Sequence, residues 1–371
     1  MAAGLGEFVT IIVDGYQLAG FETITVRRSM QNAAIGFTIE ATWPGYSPQA
    51  VKLRNGEQIE IRTQALADGA MPQPGAGDLL CLGAVDDYES DIGEGAGRKV
   101  ALHGRSNARD IVDCPPVDHP TLRSENKTLL GVAQDLGAEF AVDWATDQAL
   151  DTIDKVQAIP GEPLFATIER EARLEGLMLA GQPDGSIHIT RAGSQRHAGT
   201  LAEGEYPVTR WSIKTSPGRE RSQVSVKGQR ASGTGAGDLQ QQSIYTPPNA
   251  ISRHRPATVF LEGDRSSTAL LTRGKWHHLR TFGFGMAASP RLSRWRDDDG
   301  LLWTPGRLIA VSVPAEGIGM DMLVREATFE QQIGRDNGTT ATLVLVDPRA
   351  HGGTAPMGSE DPDFNPGAVI G

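Results

Sequence analysis

The chain has 371 residues, with 46 acidic against 35 basic side chains and a formal charge of -11. That length suits two or three ordinary domains, and a 39% hydrophobic share supplies cores for them and excludes a disordered chain. The acidic balance excludes a dedicated nucleic-acid grip, which needs a basic face. Two cysteines, Cys81 and Cys114, exclude a disulfide framework.

Taken in chain order, Met1-Ala2-Ala3-Gly4 has neither the basic start nor the apolar stretch of a signal peptide. No run of 18 apolar residues follows, so the expectation is a chain folded in a cytoplasm with no membrane anchor. Phe8 to Val13 predicts a strand stopped by Asp14-Gly15. Ile35, Phe37, Ile39, Ala41 and Trp43, spaced by two, predict a strand with one buried face. Val51-Lys52-Leu53, the turn Asn55-Gly56 and Ile59-Glu60-Ile61 predict a hairpin. Leu79 to Val85 and Lys99 to His103 predict two more strands around the flexible run Gly93 to Gly97, and a meander of this kind closes as a small barrel or sandwich.

The pattern then changes period. Leu129, Val132, Ala133 and Leu136 predict a helix ended by Gly137; Pro163 starts another with Phe165, Ile168 and Ala172 on one face, stopped at Gly176. Leu177-Met178-Leu179 and Ile187-His188-Ile189 predict a hairpin turned at Asp184-Gly185. Residues 115–195 thus read as a small α+β unit. Ser222 to Val226, Thr258 to Phe260, Leu308 to Val313, Leu323 to Phe329 and Thr340 to Val346 predict a second β region, the last two joined at Asn337-Gly338. Ala231 to Asp238 reads as a mobile loop, Arg273 to Trp276 as the lead into short apolar pieces, and His351 to Gly371 as a tail without a core.

Each reactive pattern has a structural reading beside it. Ser106 stands three residues from His103, but sequence neighbours do not make a triad, and no G-x-S-x-G elbow occurs. His277-His278 would point to opposite faces of a strand. Asp297-Asp298-Asp299-Gly300 lacks the spaced oxygens and final Glu of a calcium loop and reads as a solvated turn. Gly233 to Asp238 fits neither a dinucleotide fingerprint nor a phosphate loop. Arg253-His254-Arg255, and Arg291, Arg294 and Arg296 around Trp295, suit a protein partner, since arginine and tryptophan together mark interface hot spots. The expectation is no catalytic residue, no cofactor and no metal.

The order of several segments carries a resemblance. Gly104-Arg105-Ser106-Asn107-Ala108-Arg109-Asp110-Ile111-Val112-Asp113-Cys114 resembles a phrase of Mu-like phage baseplate hub proteins, in the contractile-tail family joining tube to spike. Val13-Asp14-Gly15, the Ser29 to Trp43 region, Gly161 to Phe165, Leu174 to Leu177, Pro183 to Gly185, Val226 to Gln229, Asp299 to Pro305 and Leu343 to Pro348 resemble further segments of that family, in the same order. The resemblance implies a mainly β fold with α+β parts: two tube-like antiparallel β-barrels, the second discontinuous, with smaller α+β domains outside. It implies a first barrel over 1–106, a middle domain over 107–205, a second barrel from 206–230 and 303–350, an inserted domain over 231–302, and a Gly/Pro-rich tail over 351–371. It further implies a non-enzymatic homotrimer, carrying about -33 formal charge as three times -11, that joins a hexameric tail tube to a trimeric central spike. Its partners would be the tube protein, the spike protein and other baseplate proteins, with DNA only passing through the lumen. Its place would be the baseplate of the virion, assembled in the host cytoplasm. Arg105, Asp110, Arg294, Trp295, Arg296 and Trp303 are the candidate structural or interface residues. The alternatives are the hub of a tailocin or other contractile injection system, and a tail-associated cell-wall hydrolase, for which Glu169 and Glu171 are the helical acids to weigh.

Overall fold

Alternating apolar and polar side chains build strands, and one sheet collects most of them. The computed structural model describes residues 6–18, 20–43, 56–66, 70–73, 75–91, 98–216, 218, 220–229, 240–247, 251–264, 267–333 and 338–351. The expectations for Met1 to Gly4, the arm Val51-Lys52-Leu53 with Asn55, Gly93 to Gly97, Ala231 to Asp238, Asn337 and the tail beyond His351 lie outside the described residues.

The first strand set holds β1 (Gly6–Val13), β2 (Tyr16–Leu18), β3 (Phe21–Ser29), β4 (Asn32–Trp43), β5 (Gln58–Leu66), β6 (Asp78–Asp91) and β7 (Arg98–Ser106). They pair antiparallel in the order β2-β1-β5-β6-β7-β4-β3. The alternation read in β4 is the burial pattern: Ile35, Phe37, Ile39 and Ala41 face the core. Ile59 and Ile61 of the expected hairpin lie opposite Val13 and Ile11 on one side and Gly83 and Cys81 on the other.

The middle unit holds α1 (Arg109–Asp113), β8 (Arg123–Thr128), α2 (Leu129–Leu136), β9 (Trp144–Thr146), β10 (Thr152–Gln157), α3 (Leu164–Leu174), β11 (Met178–Gly181) and β12 (Ile187–Thr190). Thr128 caps α2 by accepting from the Gly131 amide, which satisfies one of the free donors at a helix start. The predicted stripe Leu129, Val132, Ala133 and Leu136 is buried, and with Ile111, Leu164, Ile168, Ile187 and Ile189 it forms one core. The expected hairpin is β11–β12, and β9 adds to β12 in parallel. Glycine allows this unit to dock closely on the large sheet: a Cβ at Gly181 would collide with the Ala33 carbonyl oxygen of β4. Nearby, the Leu82 amide donates to Pro183 O at 2.7 Å.

The remaining elements are β13 (Gln195–Ala202), β14 (Val208–Thr215), β15 (Gln223–Gln229), β16 (Gln240–Tyr245), β17 (Pro256–Asp264), α4 (Ser267–Gly283), β18 (Met286–Leu292), β19 (Arg307–Val313), β20 (Ile318–Gln332), β21 (Thr339–Val346) and a 3-10 turn at Pro348–His351. The order β14-β18-β21-β20 continues the large sheet, and β20 joins the two strand sets by pairing antiparallel with β3. β20 serves two neighbours along one edge: Ile318 to Leu323 pair with β19, and beyond it Glu326 to Gln332 pair with β3. A bulge at Val324/Glu326 marks the change. Bulges bend and twist a strand, which suits a strand passing from one set to the other. One hydrophobic core spans both sets.

Three expectations about the second half change. β13, expected in the 107–205 domain, pairs in parallel with β19 inside the large sheet. β15, expected in the second barrel within 206–230, instead centres a separate sheet with β16 and β17. Residues 286–302, expected in the 231–302 insertion, return to the large sheet through β18 and bury Trp295 in its core. The separate unit is therefore 223–283, and it includes a 17-residue helix, α4, where short apolar pieces were expected. Among the described residues no helix is long and apolar enough to cross a membrane.

Candidate interface and structural site residues

Arg105 leaves the end of β7 with its guanidinium turned toward α1. It donates to Asp86 at 2.6 Å and to both Asp113 oxygens at 3.0 and 2.6 Å. Arg109 reaches the other Asp86 oxygen at 3.1 Å. Bidentate arginine–carboxylate pairs fix geometry as well as charge, so this cluster sets the angle between the first strand set and the middle unit. The hydrogen bond from Arg105 holds the Asp113 carboxyl below the usual range. Asp110 is exposed; its carbonyl accepts from the Cys114 amide at 2.8 Å, and its carboxylate lies 3.5 Å from Arg109.

Trp295 and Trp303 sit in the core, 1% and 0% exposed. Trp295 Nε1 donates to Thr340 O at 2.8 Å and its ring meets Phe329 at 5.2 Å; Trp303 Nε1 donates to Arg294 O at 3.2 Å. Their role lies within the chain. Arg296 reaches across to the first strand set, donating to Glu7 Oε1 at 2.6 Å and to Asp78 at 2.5 Å. Glu7 also accepts from Thr63 Oγ1 at 2.6 Å. Arg294 pairs with Asp298 and lies 5.4 Å from the Tyr206 ring centroid. Of the four residues around this turn, Arg294 is the most exposed, and it is still half-buried.

The acid run at Asp297 is only partly a solvated turn. Asp297 is buried, and its carboxylate accepts from His197 Nδ1 at 2.8 Å and from the amides of Ala198, Asp299 and Leu301 at 3.2, 3.1 and 2.9 Å. Burial raises this carboxyl, but those hydrogen bonds outweigh it and leave it below its ordinary value. His197 Nε2 accepts from the Thr304 amide at 3.1 Å, which assigns the Nδ1–H to Asp297. Burial lowers His197 against the pull of Asp297, which favours the neutral ring. A histidine beside an aspartate invites a catalytic reading. Here the lone pair a general base needs is held by a main-chain amide, and both side chains are enclosed. The pair instead ties β13 to the turn before β19. Sequence offered no signal for it, since the partners are 100 residues apart.

The other reactive patterns resolve likewise. Ser106 is buried and accepts from the Ile35 amide at 3.0 Å, while His103 meets Thr38 Oγ1 at 3.1 Å on β4. His277 and His278 lie on α4 rather than on a strand. Burial and the neighbouring cations Arg273, Arg221 and Arg280 lower His277. Glu169 is held by Arg173 at 3.0 Å, and Glu171 lies 3.8 Å from Arg170; two residues apart on a helix, these acids do not share a face. At the far end of the β3–β4 hairpin, Glu22, Glu40, Glu89 and Asp91 line an acidic groove of about 460 Å³.

Residues 108–191 match the model of the family described as "Baseplate hub protein gp44-like, second domain". No curated protein matches the chain. Among solved structures, the chain is similar to the 43 kDa tail protein of prophage MuSo2 from Shewanella oneidensis, at 22% identity and a TM-score of 0.80 over 93% of this chain and 99% of that one. It is similar to a tail protein from Neisseria meningitidis MC58, at 22% identity and 0.74 over 98% and 99%. A type VI secretion component of E. coli, described as resembling the phage T4 tail proteins gp27 and gp5, matches at 11% identity and 0.54 over 93% and 79%. The 108–191 unit is thus similar to the second domain of gp44-like baseplate hub proteins, and the whole chain has the mainly antiparallel β fold of these tail proteins.

Proposed function

We propose that this chain is a structural, non-enzymatic baseplate hub of a contractile phage tail. It forms a homotrimer that adapts a hexameric tube to a trimeric spike. The observation that carries the reading is the match of 108–191 to a hub domain, framed on both sides by strands of one sheet. The β3–β20 seam supports it physically. A chain that offers two strand sets presents six of them when three copies close a ring, and closed rings are held by repeated heterologous interfaces. An adaptor of this kind needs large permanent contacts, typically above about 2,000 Å² when obligate, and no reactive group. An acidic chain suits a channel through which DNA slides without sticking. Its place is then the baseplate, after assembly in the host cytoplasm. The domain reading keeps a first barrel over 1–106 and moves the peripheral unit to 223–283.

Light scattering on the purified chain tests the trimer. The expected result is a trimer, alone or on adding the spike protein; a stable dimer counts against the proposal. Turnover of peptidoglycan by the purified chain would overturn the non-enzymatic reading.

A further inference from the structure

Between α3, α4 and the Pro348–His351 turn lies a cavity of about 190 Å³ lined by Phe165, Glu169, Arg173, Trp276, Arg280 and His351, with Met30 and Met178 in its apolar wall. Arg273 and Arg280 both lie over the Trp276 ring, at 4.6 and 5.1 Å from its centroid. Glu169 is the carboxylate of this lining, and Arg173 already holds it. Among the described residues no carboxylate forms an ion pair with Arg273 or Arg280, and both guanidiniums are depressed by burial and by the Arg173 charge. Trp276 Nε1 and His351 Nε2 are buried without a hydrogen-bond partner. Burial, with Arg280 and Arg325 nearby, pushes His351 down to about 4, so its ring is neutral at pH 7. In a chain of net charge -11, these cations repel one another and the Trp276 N–H lacks an acceptor. Both features cost stability and both are relieved by an incoming anion.

The size and walls decide which anion. The cavity holds the volume of about six waters at ~30 Å³ each, enough for one acidic side chain and its neighbour. Its cationic lining is confined to Arg173 and Arg280, whereas a nucleic-acid backbone needs an extended basic track. Met30, Phe165, Leu177 and Met178 give it an apolar wall beside the cations, which suits a peptide side chain better than free phosphate. We propose that the cavity docks an acidic peptide segment of a different, neighbouring polypeptide. Its carboxylate accepts from Arg280 and Trp276 Nε1, and an adjacent aromatic or aliphatic side chain packs on Met30, Phe165 and Met178. The inference rests on the hub reading only in that a hub has such neighbours.

Fluorescence anisotropy of a labelled synthetic peptide, Gly-Asp-Asp-Phe-Gly, titrated with the full chain provides the test. Saturable binding is expected, weakened at least tenfold in Arg280→Ala, partly restored in Arg280→Lys and unchanged in Arg253→Ala, a basic site outside the cavity. Because Arg280 sits in repulsion, Arg280→Ala is expected to melt no lower than the parent chain. No saturable binding, or equal binding by Arg280→Ala, overturns the proposal. Inorganic phosphate displacing the peptide at equal concentration makes the site one for small anions and also overturns it. Two further outcomes reject the proposed partner. Loss of the oligomer in Arg280→Ala makes a second copy of this chain the occupant. Tighter peptide binding by a Glu360→Gln, Asp361→Asn, Asp363→Asn variant makes the chain's own C-terminal segment the occupant. A stable dimer that still binds the peptide counts against the trimer reading and leaves this inference standing.

Discussion

The middle unit, 108–191, and the small unit, 223–283, are each built from short strands and helix, yet they close differently. The middle unit buries Ile111, Leu129, Val132, Leu136, Leu164, Ile168, Ile187 and Ile189 in a core of its own. Each such side chain contributes roughly 1.5–3 kcal/mol relative to exposure. The small unit buries Val224, Val226 and Leu270, with Val259 half-buried beside them. Its helix turns much of its aromatic and cationic surface toward the 348–351 turn. There Phe284 meets His351 at 5.1 Å and Arg349 lies 4.7 Å over the Phe282 ring. One unit is held by what it encloses, the other by what it leans on. The difference teaches where contact surface can reside: a side chain committed to a core is not free for a partner, and among the described side chains of α4 Leu270 is the one in the small core.

The same chemistry applied to both units would break this comparison most sharply. Ile168→Ala in the middle unit is expected to cost roughly 2–5 kcal/mol, read as a lowered denaturation midpoint of the whole chain. Leu270→Ala is expected to act locally, raising amide exchange within 223–283 while the global midpoint moves much less. Equal global losses would show that the small unit is not the weaker one. Next in size is the clamp that anchors the strands flanking the small unit. His197→Ala removes a hydrogen bond to the buried Asp297 carboxylate and is expected to lower stability by roughly 2–3 kcal/mol in urea titration.

A pH series sharpens the junction between α4 and the 348–351 turn. His351 titrates near 4 when folded and near 6.5 when unfolded. Between those values the unfolded chain binds more protons, so stability rises with pH through that window and is lost as pH falls from about 6.5 toward 4. The expected loss between pH 7 and pH 5 is roughly 1.5–2 kcal/mol from this group, removed in His351→Gln. The smallest effect belongs to Arg27 and Glu326, an exposed pair across the β3–β20 seam at 2.7 Å. Arg27→Ala is expected to change the midpoint by about 0–1 kcal/mol; a larger loss would mean that charge, rather than backbone pairing, holds the seam.

Local period was enough for several elements. The spacing of Leu129, Val132, Ala133 and Leu136 specified α2 and its buried face, and Ile35 to Ala41 specified which face of β4 is enclosed. These readings succeed because helix and strand geometry repeats within the segment itself. The helix α4 was not legible. Gly274 interrupts it, His277, His278 and Thr281 are weak helix formers, and no clean apolar stripe runs along it. It is stabilised by packing Leu270 on Val224 and Val226, which are distant in sequence. Trp295 invited a surface reading because arginines surround it, yet the chain folds the ring onto Phe329, leaves Arg291 exposed and half-buries Arg294 and Arg296.

By itself the amino-acid sequence determined a β region, then an α+β unit, then β again, with acidic charge and segments in the order of a hub family. Only the tertiary structure decided which strands share a sheet: that β13 and β18 join the large one, that β15 leaves it, and that β3 and β20 fuse its halves. It alone paired His197 with Asp297, Arg296 with Glu7, and Trp276 with two guanidiniums. The reason is physical. Side-chain period is set within a few residues, whereas an exposed strand edge or an unpaired charge takes whichever partner the folded chain brings within reach.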